Sequence, residues 1–209
     1  MTAMQRLAIN GAIVSVRAIG DDVGNDAAPI IEGYAALFDV PSLPLEADEG
    51  MSFVETIRKG AFSRAISEKQ DVRCLFNHES DWVLARTTSG TLTLREDERG
   101  LWFTATLPSS TRATDVYASI QRGDVSQCSF AFQVKSDTWR TQDGNFYREV
   151  VDVDLFDVGP VTFPAYTATS VQTRVRIPSS IIQPEPQQLT KPHSWYKARA
   201  RVLTLAQQY

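Results

Sequence analysis

The sequence predicts an α+β fold that is mainly β, with many strands and two helices in the main body of the chain. Three observations lead to this prediction. Apolar and polar residues alternate in most of the apolar runs, as they do in half-buried strands. These runs are short, and segments rich in Gly, Pro, Asn and Asp separate them. Two segments of the body instead have the three-to-four-residue apolar spacing of an amphipathic helix.

The predicted strands are alternating runs that end at turn-forming residues. The first three are separated by loops at 21–29 and 39–51, and the second loop is acidic and is expected to be mobile. In chain order the strands span residues 11–19, 30–38, 53–57, 72–78, 91–94, 101–107, 123–134 and 146–158. The pair 91–94 and 101–107 is predicted to form a hairpin, and a run over 171–177 closes the body.

The helices and turns have their own signals. Apolar residues at helical spacing predict a short helix over 60–68 and a longer one over 111–122, which ends at Gly123. The segment 142–145, Gln-Asp-Gly-Asn, predicts a turn before the last long strand. The run 159–166 contains two prolines and is predicted to turn the chain again.

Composition and charge exclude several classes of protein. The chain has 209 residues, of which 43% are hydrophobic and 22% charged, as is usual for a globular protein. A net charge of −4 is not typical of a nucleic-acid-binding protein, which is usually basic. No apolar run approaches the roughly 18 residues of a membrane span, and no secretory signal is evident. Cys74, Cys128 and the two histidines lack the spacing of zinc ligands, so no structural zinc site is expected. The expected compartment is a reducing cytoplasm.

The C-terminal part of the chain differs from the rest. Residues 178–192 hold four prolines among Ser and Gln, which predicts a linker. The segment 193–209 has helical apolar spacing, and from Gln187 to the end there are four basic residues and no acidic one. We therefore predict a main domain over 1–177, a linker over 178–192 and a basic amphipathic tail over 193–209.

A candidate nucleophile lies in the predicted strand that follows the second helix. Strand alternation gives Cys128, Phe130 and Phe132 a shared apolar face, while Ser129 and Ala131 share the other face. A nucleophile needs rigid support behind it and room in front. Cys128 is the stronger intrinsic nucleophile, but the pattern packs it among the aromatic rings. We favour Ser129, against the alternative that it is only a solvent-facing strand residue.

His78 and Asp157 are the candidate base and acid. His193, the other histidine, lies in the tail, so His78 is the imidazole that the body offers. Asp157 ends an apolar row of a predicted strand, where a desolvated carboxylate needs a partner such as an imidazolium. Asp154 on the opposite face is the alternative acid. A structural role for His78 and an arginine partner for Asp157 are the alternatives to catalysis.

An ordered series of motifs resembles the prohead (head-maturation) protease family of tailed phages. Two motifs, Glu32-Gly-Tyr-Ala-Ala-Leu-Phe38 and Glu55-Thr-Ile-Arg-Lys-Gly-Ala-Phe62, fit the N-terminal half. The others are Phe76-Asn-His-Glu79, Thr88-Ser-Gly-Thr-Leu92, Asp97-Glu-Arg-Gly-Leu101, Cys128-Ser-Phe-Ala-Phe132 and Leu155-Phe-Asp-Val-Gly-Pro-Val-Thr-Phe-Pro-Ala-Tyr166. The resemblance covers about residues 30–177.

This resemblance implies a fold similar to the herpesvirus assembly proteases, with a closed β-barrel core and a few surrounding helices. It implies a serine endopeptidase with His78 as base, Ser129 as nucleophile and Asp157 as third member of the triad. The implied substrates and partners are the major capsid protein precursor and its scaffold segment, inside the immature head in the host cytoplasm. The sequence leaves the oligomeric state open, with a homo-oligomer as one option. No cofactor, metal, membrane or nucleic-acid partner is expected.

The sequence departs from the family pattern in places. Ala131 stands where glycine is expected, Gly159 where serine is usual, and Ala85-Arg86 replaces a Leu-Gly pair. None of these removes a triad atom. Two other functions stay open: a non-catalytic scaffold or capsid-assembly module, and a β-rich ligand-binding domain.

Overall fold

The computed structural model describes residues 5–7, 17–19, 28–47, 50–163 and 176–182, with the backbone alone at 5–7 and 17–19. The chain divides into two units, Met1–Ile177 and Pro178–Tyr209, and every element below lies in the first. The strands are β1 (Gln5–Leu7), β2 (Arg17–Ile19), β3 (Ile30–Leu37), β4 (Leu45–Glu46), β5 (Ser52–Ile57), β6 (Arg73–Leu75), β7 (Val83–Arg86), β8 (Leu92–Glu96), β9 (Gly100–Thr106), β10 (Gln127–Gln142) and β11 (Asn145–Val161). The helices are α1 (Ser63–Ser67) and α2 (Thr111–Gln121).

The larger sheet is built around the antiparallel hairpin of β10 and β11. Asp143 and Gly144, the two residues of its turn, both have positive φ, as a tight two-residue hairpin turn requires. β1 pairs with the outer side of β10. On the far side of β11, β5 lies parallel to residues 146–150 and β6 lies parallel to residues 157–158. β4 and β7 extend the sheet beside β5 and β6.

The smaller sheet has the strand order β2-β3-β9-β8. Its hairpin of β8 and β9 is the one predicted from residues 91–94 and 101–107, with Leu94 opposite Phe103. β3 and β9 are also antiparallel neighbours. The hairpin predicted from the sequence is therefore confirmed.

One buried apolar cluster includes side chains from both sheets and both helices. Phe62, just before α1, packs its ring 5.4 Å from that of Phe130, which stacks 4.9 Å from Phe132. Val116 and Ile120 bring α2 into the same cluster. Burying each such side chain contributes about 1.5–3 kcal/mol. The cluster thus supports β10 on the face that carries its phenylalanines.

The predicted class, mainly β with few helices, is confirmed. The closed barrel is not: within the described residues the larger sheet ends at β1, β4 and β7, and the smaller one at β2 and β8. In the same residues no helix is long and apolar enough to span a membrane.

Several elements differ from the sequence predictions. The strand predicted over 72–78 ends at Leu75, and β7 was not predicted at all. The predicted loop over 39–51 contains β4. β10 extends well beyond the predicted strand over 123–134, and residues 159–161 continue β11 instead of turning.

Some predictions lie outside the described residues. They concern residues 11–16 of the first predicted strand, most of the loop over 21–29, residues 164–166 of the predicted turn, residues 171–175 of the run that closes the body, most of the linker over 178–192, and the tail over 193–209 with His193.

Candidate active site

Ser129 and Asp157 lie on the same face of the β10–β11 hairpin. Ser129 is directly opposite Gly159, and Ala131 is directly opposite Asp157. Residues directly opposite each other in an antiparallel pair point to the same face. Phe130 points to the other face, into the core. The sequence prediction that Ser129 and Ala131 share the face away from the phenylalanines therefore agrees with the register.

A β-bulge in β11 turns Asp157 toward Ser129. The partner of Ala131 is Asp157, but the next residue of β10, Phe132, pairs with Leu155. One residue of β11, Phe156, is thus left over, and such an extra residue reverses the alternation of a strand. The sequence prediction that Asp157 ends the apolar row of this strand was wrong, because uninterrupted alternation does not hold across a bulge.

Gly159 lets β6 and β11 approach closely beside the serine. A Cβ atom at this position would overlap the carbonyl oxygen of Leu75 and lie 3.0 Å from the Leu75 carbonyl carbon. Leu75 is the last residue of β6, so the close approach brings the loop after β6 to the end of β11. A serine, which is usual in the resembling family, would require that loop to lie farther away.

His78 lies in this loop and not in a strand. Asn77 and His78 have φ angles of 54° and 59°, in the left-handed region that non-glycine residues rarely adopt. The strand predicted over 72–78 would have placed His78 at a strand end, and this was wrong because the strand stops at Leu75. The left-handed backbone, and not strand alternation, directs the imidazole.

The structure brings His78 and Asp157 into contact. The imidazole Nδ1 lies 2.6 Å from Asp157 Oδ1, and the two side chains are 8% and 6% exposed. The Nε2 atom is also buried. A carboxylate at Nδ1 fixes the tautomer with its proton on Nδ1, which leaves Nε2 to accept a proton. This is the arrangement of a general base with its orienting acid.

Asp154, the alternative acid, belongs to another cluster. Its carboxylate lies 2.7 Å from Arg64 and 3.3 Å from Lys135, and it accepts a hydrogen bond from Gln70. The hydrogen bond from Arg64 lowers the pKa of Asp154 despite partial burial. The carboxylate on His78 is that of Asp157.

Cys128 and Cys74 are buried free thiols within the core cluster. Burial raises the pKa of both thiols, and the negative charge of Asp157 adds to the effect at Cys74. A thiol with a raised pKa stays protonated at neutral pH and is a poor nucleophile. The expectation that Cys128 packs in the core is confirmed.

Ser129 is more enclosed than the sequence suggested. It is only 1% exposed, whereas the sequence prediction required room in front of the hydroxyl. Alternation along one strand could not reveal this, because it says nothing of what lies over the polar face.

Asn77, Gly159 and Thr162 border the site and were not assigned a role from the sequence. Asn77 and Thr162 hydrogen-bond across the gap between the histidine loop and β11. The available signal was an asparagine just after a strand end, since asparagine is among the residues that tolerate the left-handed region. Among the described residues no group of three or more His, Cys, Asp or Glu side chains could hold a metal ion.

A strand serine on the sheet face of an aspartate that pairs with a buried histidine has the residue types of a serine-hydrolase site. The family model described as Caudovirus prohead serine protease matches residues 14–181. The chain therefore belongs to this family.

Two known proteins are similar to the chain. The prohead protease of Enterobacteria phage HK97 is 30% identical over 145 residues, which are 68% of this chain and 58% of that protein. The chain thus spans less than two thirds of the length of this relative. The structure of the bacteriophage T4 capsid assembly protease has a TM-score of 0.42 and 16% identity, over 78% of this chain and 97% of that one.

Proposed function

We propose that this protein is a serine endopeptidase that cleaves the major capsid protein precursor and its scaffold segment during maturation of the phage prohead. The observation that carries the proposal is the buried contact of 2.6 Å between His78 Nδ1 and Asp157 Oδ1. Ser129 lies on the same sheet face as Asp157, and the chain belongs to the prohead serine protease family. The proposed setting is the inside of the immature head, in the host cytoplasm.

In the proposed mechanism, His78 is a neutral general base. Its Nε2 takes the proton of the Ser129 hydroxyl while Oγ attacks the peptide carbonyl carbon. The tetrahedral intermediate collapses when the C–N bond breaks and His78 gives the proton to the leaving amine. Water then hydrolyses the acyl-enzyme by the same proton route. Asp157 holds the imidazole tautomer and stabilises its cation, and each oxyanion-hole donor contributes about 3 kcal/mol.

The choice of Ser129 over Cys128 rests on their positions. Cys128 points into the core, and its thiol has a raised pKa because it is buried. Ser129 points to the face that carries Asp157. A hydroxyl needs a base beside it, and a base paired with a carboxylate lies at the end of that face.

A peptide carbonyl needs access to the Ser129 hydroxyl, but Ser129 is only 1% exposed in this structure. We infer that residues over this face move aside when substrate binds. The same burial favours the second candidate function, a non-catalytic capsid-assembly module in which Ser129 only packs.

Three further parts of the proposal rest on the family resemblance and on composition. They are a closed barrel core, a homo-oligomeric state, and a chain organised as a protease domain over 1–177, a linker over 178–192 and a recruitment tail over 193–209. The basic tail suits an acidic partner surface in the assembling head.

Co-expression with the capsid precursor tests the proposed function. Mass spectrometry should find defined cleavage products with the wild-type chain and none with Ser129→Ala, which loses only a hydroxyl. Heads that assemble equally well with both chains, with the precursor left intact, would favour the non-catalytic module.

A further inference from the structure

The loop over 76–82, which joins β6 to β7 and carries His78, is shaped mainly by its own backbone. The Glu79 N–H donates to the Phe76 carbonyl at 3.0 Å, and the Trp82 N–H donates to the Glu79 carbonyl at 2.9 Å. The rings of Phe76 and Trp82 meet edge to face with centroids 4.8 Å apart. These contacts define the loop but do not connect it to β11, where Asp157 lies.

Arg112 of α2 contacts the other end of the loop. Its guanidinium lies 5.5 Å from the centroid of the Trp82 ring and donates to the Asp81 carbonyl at 3.5 Å. This connection leads to α2 and not to the strand that carries the acid. It therefore leaves open what sets the distance between His78 and Asp157.

Asn77 supplies the connection to β11 through three hydrogen bonds. Its backbone N–H donates to the Pro160 carbonyl at 3.1 Å. Its side-chain Oδ1 accepts from the Thr162 N–H at 2.8 Å, and its Nδ2 donates to Thr162 Oγ1 at 3.3 Å. The residue next to the histidine is thus fixed to the strand a few residues beyond the aspartate.

The side chain at position 77 must meet two demands at once. The backbone is left-handed, a region open to glycine and, among other residues, mainly to Asn, Asp and His. The side chain must also make two hydrogen bonds at Thr162, one with its N–H and one with its hydroxyl. Glycine satisfies the first demand alone, whereas asparagine meets both.

We propose that Asn77 is a positioning residue, which fixes the histidine loop to the end of β11 so that His78 stays aligned with both Asp157 and Ser129. The inference rests on the proposed hydrolase function. It concerns the reaction and not only the fold, because Asn77 is adjacent to the base and bonds the strand that carries the acid. Without its side chain, the loop keeps its internal bonds and the pairing of β6 with β11 but loses the two bonds to Thr162 that hold the residue next to His78.

Fluorophosphonate labelling of the full chain tests the proposal. Asn77→Gly keeps the left-handed backbone and removes both side-chain bonds. The maximal labelling rate should fall about 10–100-fold, as for a reacting group displaced by about 1 Å, while the half-saturating probe concentration stays unchanged. Thr162→Val, at an exposed position, should lower the maximal labelling rate by a smaller factor. Thr162→Ser, which keeps the hydroxyl, should label like wild type.

A second readout does not depend on activity. The chain has two histidines, so proton NMR of a histidine-labelled sample can assign the Nδ1 proton of His78 by comparison with His78→Gln. Wild type should show this proton protected from exchange by the Asp157 bond. In Asn77→Gly the signal should broaden or exchange faster, with an unchanged melting temperature.

The outcomes separate the two proposals. Failure of the wild-type chain to label, or equal labelling of Ser129→Ala, would refute the hydrolase function. A labelled wild type together with an equal maximal rate in Asn77→Gly would refute the positioning role alone. If Asn77→Gly unfolds, Thr162→Val decides: wild-type labelling by this folded variant overturns the inference, and a reduced rate rescued by Thr162→Ser supports it.

Discussion

Gly159 lies so close to Leu75 that a Cβ atom would overlap the Leu75 carbonyl oxygen. The obstacle is backbone, which cannot turn away as a flexible side chain can. We predict that Gly159→Ala lowers the free energy of unfolding by about 3 kcal/mol, at the upper end of overpacking costs. Denaturant titration of the two chains measures it.

Gly123→Ala is the matched control for that substitution. Gly123 has a positive φ, and beyond its chain neighbours no atom lies within 4 Å of the place that a Cβ atom would take. The change therefore costs only backbone strain, about 1–2 kcal/mol. Equal losses for the two variants would show that the contact with Leu75 is not what requires glycine at position 159.

Asp157→Asn and Asp154→Asn separate the two candidate acids. Asp157 contacts His78, whereas Asp154 contacts Arg64 and Lys135. Asp157→Asn should keep the fold but reduce the cleavage rate by roughly 10⁴, because the amide no longer holds the required tautomer. Asp154→Asn should keep the rate and lose about 1 kcal/mol or less from a partly exposed ion-pair network.

Cleavage rates and denaturant midpoints of both variants give the comparison. An inactive Asp154→Asn chain beside an active Asp157→Asn chain would reverse the assignment.

Glu55 provides a pH dependence that is separate from the active site. It is buried on β5 against Arg148, at 3.0 Å, and Arg148 also contacts Asp137. Burial raises the pKa of Glu55 to about 7, although Arg148 lowers it. The folded state therefore holds the proton more tightly than the unfolded chain, whose carboxyl has a pKa near 4.5.

The stabilisation from this proton is complete below about pH 4.5 and is lost as the pH rises toward 7. The difference in free energy of unfolding between wild type and Glu55→Gln should therefore change across this interval. Glu98→Gln, at a side chain that is 88% exposed, controls for the loss of one negative charge. A difference that is constant from pH 4.5 to 7 would contradict the prediction.

Much of the fold was predictable because its signals are local. The turn at Asp143 and Gly144 and the alternation in β8 and β9 appear directly in the sequence. β7 was missed because its two buried residues, Leu84 and Ala85, are adjacent and do not alternate with polar ones. The extent of β10 was missed because its outer half is held by pairing with β11 and not by an apolar face.

The pairing of His78 with Asp157 was predictable from the sequence, but its geometry was not. The residue types and the family resemblance led to His78 and Asp157, and the structure brings these two into contact. The bulge at Phe156 interrupts strand alternation and has no sequence signal of its own. The left-handed backbone at Asn77 and His78 has only the weak signal that both residue types tolerate this region. The burial of Ser129 depends on long-range packing, which local patterns do not report.

Truncation at Ile177 tests the proposed role of the tail. Ile177 is buried, and the second unit of the chain begins at the next residue. The truncated chain should label with a fluorophosphonate at the wild-type rate but should be missing from assembling heads. Immunoblots of purified heads measure this, and normal packaging of the truncated chain would refute recruitment by residues 193–209.

Cys128→Ala probes the rival nucleophile. The substitution should preserve cleavage and cost about 1–2 kcal/mol of stability, because it shortens a buried side chain. Enzyme assay and denaturant titration of the same preparation check both parts. An inactive but folded Cys128→Ala chain would move the nucleophile to the thiol.

The central claim is that Ser129 is a nucleophile activated by His78. The most direct measurement is mass spectrometry of the full chain after treatment with a fluorophosphonate, with the modified residue located by peptide sequencing. The account predicts one adduct on the Ser129 hydroxyl, lost in both Ser129→Ala and His78→Ala. An adduct at another residue, no adduct on the folded wild-type chain, or undiminished labelling of His78→Ala would contradict it.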